Sequence, residues 1–298
     1  MSSVKYFLWI SLFLFVSCKN ADSQKWTDEQ IWKLEWRMVE NSIYENYELA
    51  ALQFDSLQSI TSELDPNFIK TGLEVKHLLG KNAEVSEMLQ QLDEEALKKV
   101  CLEEWTSEYN ICDGQSEATV GNESLKLELI KMYLNDQNSR SNLMNELLEK
   151  YNLNKEEVII DASMSITDAR NRDRLKEIIE EHGFPTADLV GKKAMQGVFM
   201  IIQHADRDKE WQKLQLSNIE KAVKNGDMDG QSYAYLYDRI KINSGEQQLY
   251  GTQFANVDPI NKTTELAPTE DIENLNARRM EIGMMPVETY KRIVLSRF

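Results

Sequence analysis

Between Gly191 and His204, the residues Ala194, Met195, Val198, Phe199, Ile201 and Ile202 leave a helix almost no polar face. A helix that is apolar nearly all round cannot rest at a surface and has to be wrapped by others. The stretch therefore predicts a central buried helix with a domain built around it. It also places the tetrad Gln203-His204-Ala205-Asp206 at that helix's C-terminal end. Upstream, Gly183 stops the preceding helix and Pro185 prevents its continuation.

A chain of 298 residues can hold one large or two ordinary domains. Its 42% hydrophobic content and only 5 prolines fit a packed, helix-rich protein rather than a disordered one. The formal net charge of −16 repels phosphate backbones. No local basic patch offsets it, so nucleic acid is not an expected partner.

The first residues read as targeting rather than fold. Lys5 precedes an apolar run, Tyr6 to Val16, that is too short to span a bilayer comfortably. The run ends in Phe15-Val16-Ser17-Cys18, which resembles the lipobox of bacterial lipoproteins. On that resemblance residues 1–17 are a signal peptide, Cys18 is the acylated first residue and residues 18–25 are a polar tether. An ordinary secretory signal or an uncleaved anchor is the alternative. Multiple acyl chains on Cys18 make a stable anchor. The expected location is the cell envelope, on a bacterial membrane, facing the periplasm or the exterior, with the lipid bilayer as a partner. An oxidising compartment permits a bridge between Cys101 and Cys112, with two separate buried thiols as the alternative.

From Trp26 to Cys112 (residues 26–112) short amphipathic segments follow one another. Ile31, Leu34 and Met38 share a stripe, as do Ala50, Phe54, Leu57 and Leu64. Thr27 or Asp28 is a plausible N-cap, and Pro66 suits a first helical turn. The tight turns between them are similar to degenerate tetratricopeptide-type hairpins, whose concave surface would take a protein or peptide partner. A plain helical bundle is the alternative. A polar, turn-rich passage around Cys112 to Asn122 marks the expected boundary, and residues 123–298 form the second domain. There, helices are expected around Leu125–Tyr133, Met144–Tyr151, Leu175–His182, Trp211–Val223 and Tyr233–Ile240. Asp168 is expected to cap one of them. Val158-Ile159-Ile160 suggests a short buried strand or turn. Alternation over Gln248 to Gln253 predicts a strand, with its partner between Val257 and Leu266. The fold class is mainly α, with a helical-hairpin N-terminal segment and an α-helical C-terminal domain carrying one small β-hairpin.

A set of motifs occurs in fixed order in the second domain: Asp136-Gln137-x-x-Arg140, Asp168-x-x-Asn171-x-x-x-Leu175, Gly183-Phe184-Pro185, Gln203-His204-Ala205-Asp206, Asp238-Arg239 and Tyr250-Gly251-Thr252-Gln253. Together with Arg278, Arg279, Gly283 and Tyr290 they resemble the pattern of a bacterial family known as domain of unknown function 6624, over about residues 125–298. Phe184 stands where that pattern expects tryptophan. The resemblance implies no activity.

His204 is the one histidine among other reactive residue types. At a helix C-terminus the dipole favours a positive charge there, which suits a general acid or an anion-holding cation. The expected catalytic group is His204 with Asp206 or Asp238. Arg140 and Arg239 are expected to hold an anionic group, with internal salt bridges that tie helices together as the alternative. Asp136, Gln137, Gln203, Gln248, Tyr250, Thr252 and Gln253 would bind or orient the ligand. No cofactor is expected, nor a metal, because His-x-Asp offers two ligands where a site wants three or four. The chain has no Gly-x-Ser-x-Gly, phosphate-binding loop or dinucleotide fingerprint. A hydrolase-like enzyme acting on an anionic small molecule is the leading expectation, and a non-catalytic envelope interaction module the rival. Replacing Cys18 by Ser should release the protein from the membrane fraction on fractionation. Continued anchoring would contradict the lipoprotein reading.

Overall fold

The computed structural model describes residues 26–115, 119–137, 148–154 and 163–297. It is mainly α, with one small antiparallel β-hairpin. The signal peptide, the tether, Cys18, Arg140, the stripe residues Met144 and Leu147, and Val158 to Ile160 lie outside the described residues.

Five helices open the described chain: α1 (Asp28–Ile43), α2 (Tyr47–Ile60), α3 (Pro66–Leu78), α4 (Asn82–Leu89) and α5 (Glu94–Val100). Local chemistry sets their starts. Thr27 and Gln30 form a reciprocal capping box on α1. Asp65 accepts from the Asn67 amide with Pro66 in the first turn of α3. Met38, Phe54, Leu57, Leu73, Val85 and Leu89 share a buried cluster. Gly72 is needed where α3 meets α2, because a Cβ there would sit 2.3 Å from the Phe54 ring. Two short 3-10 turns follow, Glu104–Glu108 and Asn110–Cys112. A disulfide joins Cys101 to Cys112, Cα to Cα 5.1 Å.

The second part is assembled around the apolar helix. It comprises α6 (Glu123–Gln137), α7 (Met164–His182), α8 (Ala187–Val190), α9 (Lys192–Gln203), α10 (Lys209–Lys224) and α11 (Gly230–Asn243). Helix α9 is the apolar one. It lies against α6 and touches α7, α8, α10 and α11, with Ala194, Met195, Val198 and Ile202 fully buried. The backbones of α6 and α9 approach closely at Gly197, where a Cβ would meet Tyr133 Cβ at 2.9 Å and the Leu129 carbonyl at 3.0 Å. Asn122 starts α6 by accepting from the Leu125 amide. Asp168 does not cap α7. The residue at that position is Ser163, and Asp168 lies inside the helix.

The hairpin departs from expectation in register. Its strands are β1 (Phe254–Asp258) and β2 (Thr263–Leu266), paired antiparallel with Phe254 opposite Leu266 and Asp258 opposite Thr263. Residues 248–253, expected as a strand, instead form an irregular loop. Gly251 takes a φ of +65°, and the Leu249, Tyr250 and Thr252 amides point at one buried carboxylate rather than a neighbouring strand. Helices α12 (Leu275–Glu281) and α13 (Val287–Ser296) close the chain. They bring the end back to the beginning: Trp32 Nε1 donates to the Met284 carbonyl at 2.9 Å, and Arg292 grips Glu40 with two bonds of 2.5 and 2.7 Å. Among the described residues no helix is long and apolar enough to cross a membrane.

Since the α6–α9 contact leaves no room for a side chain, Gly197→Ala should cost about 1–3 kcal/mol through overpacking. Urea unfolding measures this. An unchanged midpoint would show that the two helices are not in close contact.

Candidate functional site

His204 is the residue at which α9 ends, its amide still bonded to the Met200 carbonyl. The central helix therefore delivers its imidazole to a fixed point. Nδ1 lies 2.7 Å from Asp136 Oδ1. Asp136 sits in the last turn of α6 at 1% exposure, and its other oxygen accepts from Gln137 Nε2 at 2.5 Å. Among the described residues His204 Nε2 makes no hydrogen bond. A buried carboxylate on one ring nitrogen fixes both tautomer and orientation, and leaves the other nitrogen for chemistry.

Asp168 joins this pair from α7. One ligating atom each of Asp136, Asp168 and His204 lies within 4.8 Å of the others. Helix α7 is tied down on both sides. Asn171 Nδ2 donates to the Met132 carbonyl at 3.0 Å, and Arg174 pairs with Glu128 of α6 at 2.6 Å. Lys176 meets Asp208 at 2.6 Å, and Asp208 also caps α10. The positions of Asp168 and His204 are thus set by the same frame.

A cleft of about 410 Å³ opens beside these groups, lined by Ser163, Asp168, Arg172, His204, Asp206 and Arg207 among others. Arg207 is exposed and makes no ion pair among the described residues. Arg172 is bonded to Asp173 and lies 3.8 Å from Asp208.

Asp206 and Arg239 are engaged with each other. Arg239 donates Nε to Asp206 Oδ1 at 2.8 Å and Nη2 to Oδ2 at 2.5 Å. Asn243 at 3.0 Å and Gln212 at 3.4 Å add to the same carboxylate. Partial burial pushes the Asp206 carboxyl up, but Arg239, Gln212 and Asn243 outweigh it and hold the group below the usual carboxylate range. The pair fastens the turn after α9 to α11. Arg239, expected to hold a ligand's anion, is occupied by this partner. Asp206, expected as a catalytic group, lines the cleft as an ionised and saturated carboxylate.

Asp238 has a different task from its neighbour. At 0% exposure it accepts from the amides of Leu249 at 2.8 Å, Tyr250 at 3.0 Å and Thr252 at 2.9 Å. Burial pushes its carboxyl up against the pull of those amides. Gln248 is likewise fully buried, and bonds the carbonyls of Gln253 and Ala267 and the Thr269 hydroxyl. Gln253 returns its amide to Gln248 Oε1, and Tyr290 donates to the Thr252 carbonyl. Tyr250 stacks edge-on against Tyr233 and Tyr237, and burial raises its hydroxyl to about 12. None of Asp238, Gln248, Tyr250, Thr252 and Gln253 lines the His204 cleft. The expectation of one site divides into two clusters, a cleft at His204 and a buried framework at Asp238. Buried Gln203 donates weakly to the Tyr235 carbonyl, at 3.5 Å, between them.

Residues 123–298 match a family of unknown function, DUF6624. The chain belongs to that family. No curated protein and no solved structure matches it. Within the DUF6624 portion, the residues missed as site members were Asp168, Arg172 and Arg207. Asp168 was the one with a signal, since it heads the Asp168-x-x-Asn171 motif, and Asn171 is one of the residues that fix α7 to α6.

Because the folded Asp206 carboxyl titrates below its unfolded value, it contributes stability above roughly pH 4 and loses it as pH falls through the folded value. The stability gap between wild type and Asp206→Asn should therefore hold steady from about pH 5 to 7 and shrink below about pH 4. A gap unchanged down to acid unfolding would contradict the pairing with Arg239.

Proposed function

We propose that the DUF6624 portion is a small-molecule site with hydrolase-like chemistry, acting on an anionic substrate in the cleft at the end of α9. The observation that carries this reading is the 2.7 Å bond from His204 Nδ1 to the buried Asp136 carboxylate. It aligns the ring and supports positive charge on it, the arrangement by which an imidazole moves protons in acyl and phosphoryl hydrolysis. In such a reaction Nε2 takes a proton from water as its oxygen bonds to the substrate centre, and returns it to the leaving group. Arg207 at the cleft rim supplies the unpaired cation for an anionic group. The protein would work tethered by acylated Cys18 to a bacterial membrane, with the N-terminal helices offering a surface to a protein or peptide.

The rival reading, a non-catalytic envelope interaction module, is favoured by the second cluster. There Asp238, Gln248 and Thr252 are bonded internally, as residues that serve only the fold would be. The cleft at His204 is where the two readings diverge.

Thermal-shift titration with inorganic phosphate and with small carboxylates tests the proposal. Wild type should show a rise in melting temperature that saturates, His204→Ala should lose it, and Arg207→Ala should weaken it about fivefold or more. Equal shifts in wild type and His204→Ala, or no shift with a large stability loss in that variant, would leave His204 a structural residue.

A further inference from the structure

Where a helix ends, its last carbonyls have no helical amide to accept from and need other donors. At the end of α9 much of that need falls on one side chain, Gln212. It lies one helical turn beyond Asp208, the cap of α10, and is 1% exposed. Its Nε2 donates to the Ile202 carbonyl at 3.0 Å and to the Gln203 carbonyl at 3.2 Å. A weaker bond reaches Asp206 Oδ1 at 3.4 Å. These acceptors bracket His204, two before it in the chain and one after. Three acceptors around one nitrogen also decide the residue type. The position needs a donor, which an amide supplies and an ionised carboxylate does not.

We infer that Gln212 is the positioning residue for the His204 imidazole. It does not line the cleft, and it acts through the backbone. By holding the carbonyls on one side of residue 204 and the carboxylate on the other, it sets the direction in which the His204 side chain leaves the chain. That direction decides whether Nδ1 meets Asp136 Oδ1 at 2.7 Å. A functional side chain has to be held to within about 0.5 Å, and groups behind it do the holding. The same end of α10 secures the opposite wall of the cleft. Asp208 meets Lys176 of α7 at 2.6 Å and lies 3.8 Å from Arg172, which lines the cleft. The start of α10 therefore grips α7 through Asp208 and the end of α9 through Gln212.

The functional weight of Gln212 rests on the reading of the His204 cleft as a ligand site. Its hold on the imidazole can be measured with no substrate present.

The test uses full-length protein and reads the side-chain ¹H–¹⁵N signals of His204 together with thermal-shift titration of inorganic phosphate. Gln212→Met keeps the length of the side chain and removes the donor. Gln215→Met is the control, since Gln215 is buried in the same helix and accepts from Asn218. In Gln212→Met the His204 Nδ1 signal should move, and phosphate affinity should fall about fivefold or more, as loss of a buried hydrogen bond would cause. Gln215→Met should leave both as in wild type, whatever it costs in stability. An unmoved His204 signal in Gln212→Met, the same movement in both variants, or a moved signal with unchanged phosphate affinity would overturn the inference. If Gln212→Met does not fold, Gln212→Asn, which withdraws the amide by one methylene, takes its place under the same criteria. Phosphate also separates the two levels of the account. Absence of His204-dependent phosphate binding in wild type removes the ligand site, and the His204 signal alone then decides whether Gln212 holds the ring. Phosphate binding that needs His204, with a ring indifferent to Gln212, leaves the site and removes Gln212.

Discussion

The structure of the DUF6624 portion depends on burying the wide apolar face of helix α9. The sequence suggests a helix apolar nearly all round, but Lys192 and Gln196 stay exposed on one edge, and five neighbouring helices cover the rest. The closest of these contacts, against α6 at Gly197, fixes how the two helices lie along each other. That places the last turn of α6 beside the end of α9, and with them Asp136 beside His204. The polar pair is thus a consequence of apolar packing: the core sets the geometry and the site occupies the point where the core ends.

Charges inside the fold are neutralised in two ways. At Asp206 an arginine does it directly, side chain to side chain. In the second cluster the backbone does it. Residues 249–252 turn three amides to Asp238, while the Tyr250 carbonyl accepts from the fully buried Arg279 at 2.6 Å. Arg279 also donates to the Met285 carbonyl and lies over the Tyr290 ring. One short loop therefore links a buried anion to a buried cation. This arrangement accounts for the concentration of uncommon polar residues in the stretch Tyr250-Gly251-Thr252-Gln253 without assigning them to a ligand.

Much of the architecture was legible because it follows from local rules. The apolar run announced the central helix, Thr27, Asp65 and Pro66 announced helix starts, and the resemblance in motif order led to the family. What was not legible depended on long-range partners. The period-two alternation of Gln248 to Gln253 looks like a strand, but a carboxylate at position 238 claims the amides that a strand would need. Asp168 has the composition of a cap, yet Ser163 takes that position and leaves the aspartate for the cleft. Arg239 allowed two readings in the sequence, a clamp on a ligand's anion or an internal salt bridge, and the structure shows the second. Its partner, 33 residues away at Asp206, could be known only from the packing of α11 near the end of α9. His204 was singled out from its neighbours in sequence, whereas the residue that orients it came from another helix.

The imidazole of His204 is held by Asp136 through Nδ1. The chain has only three histidines, so two-bond ¹H–¹⁵N correlation spectra of the side chains can be assigned by single substitutions. His204 should show a protonated, hydrogen-bonded Nδ1 whose signal moves when Asp136 is replaced by Asn, while His77 and His182 stay as they are. A His204 ring that is protonated on Nε2 alone, or that is indifferent to the Asp136 substitution, would contradict it.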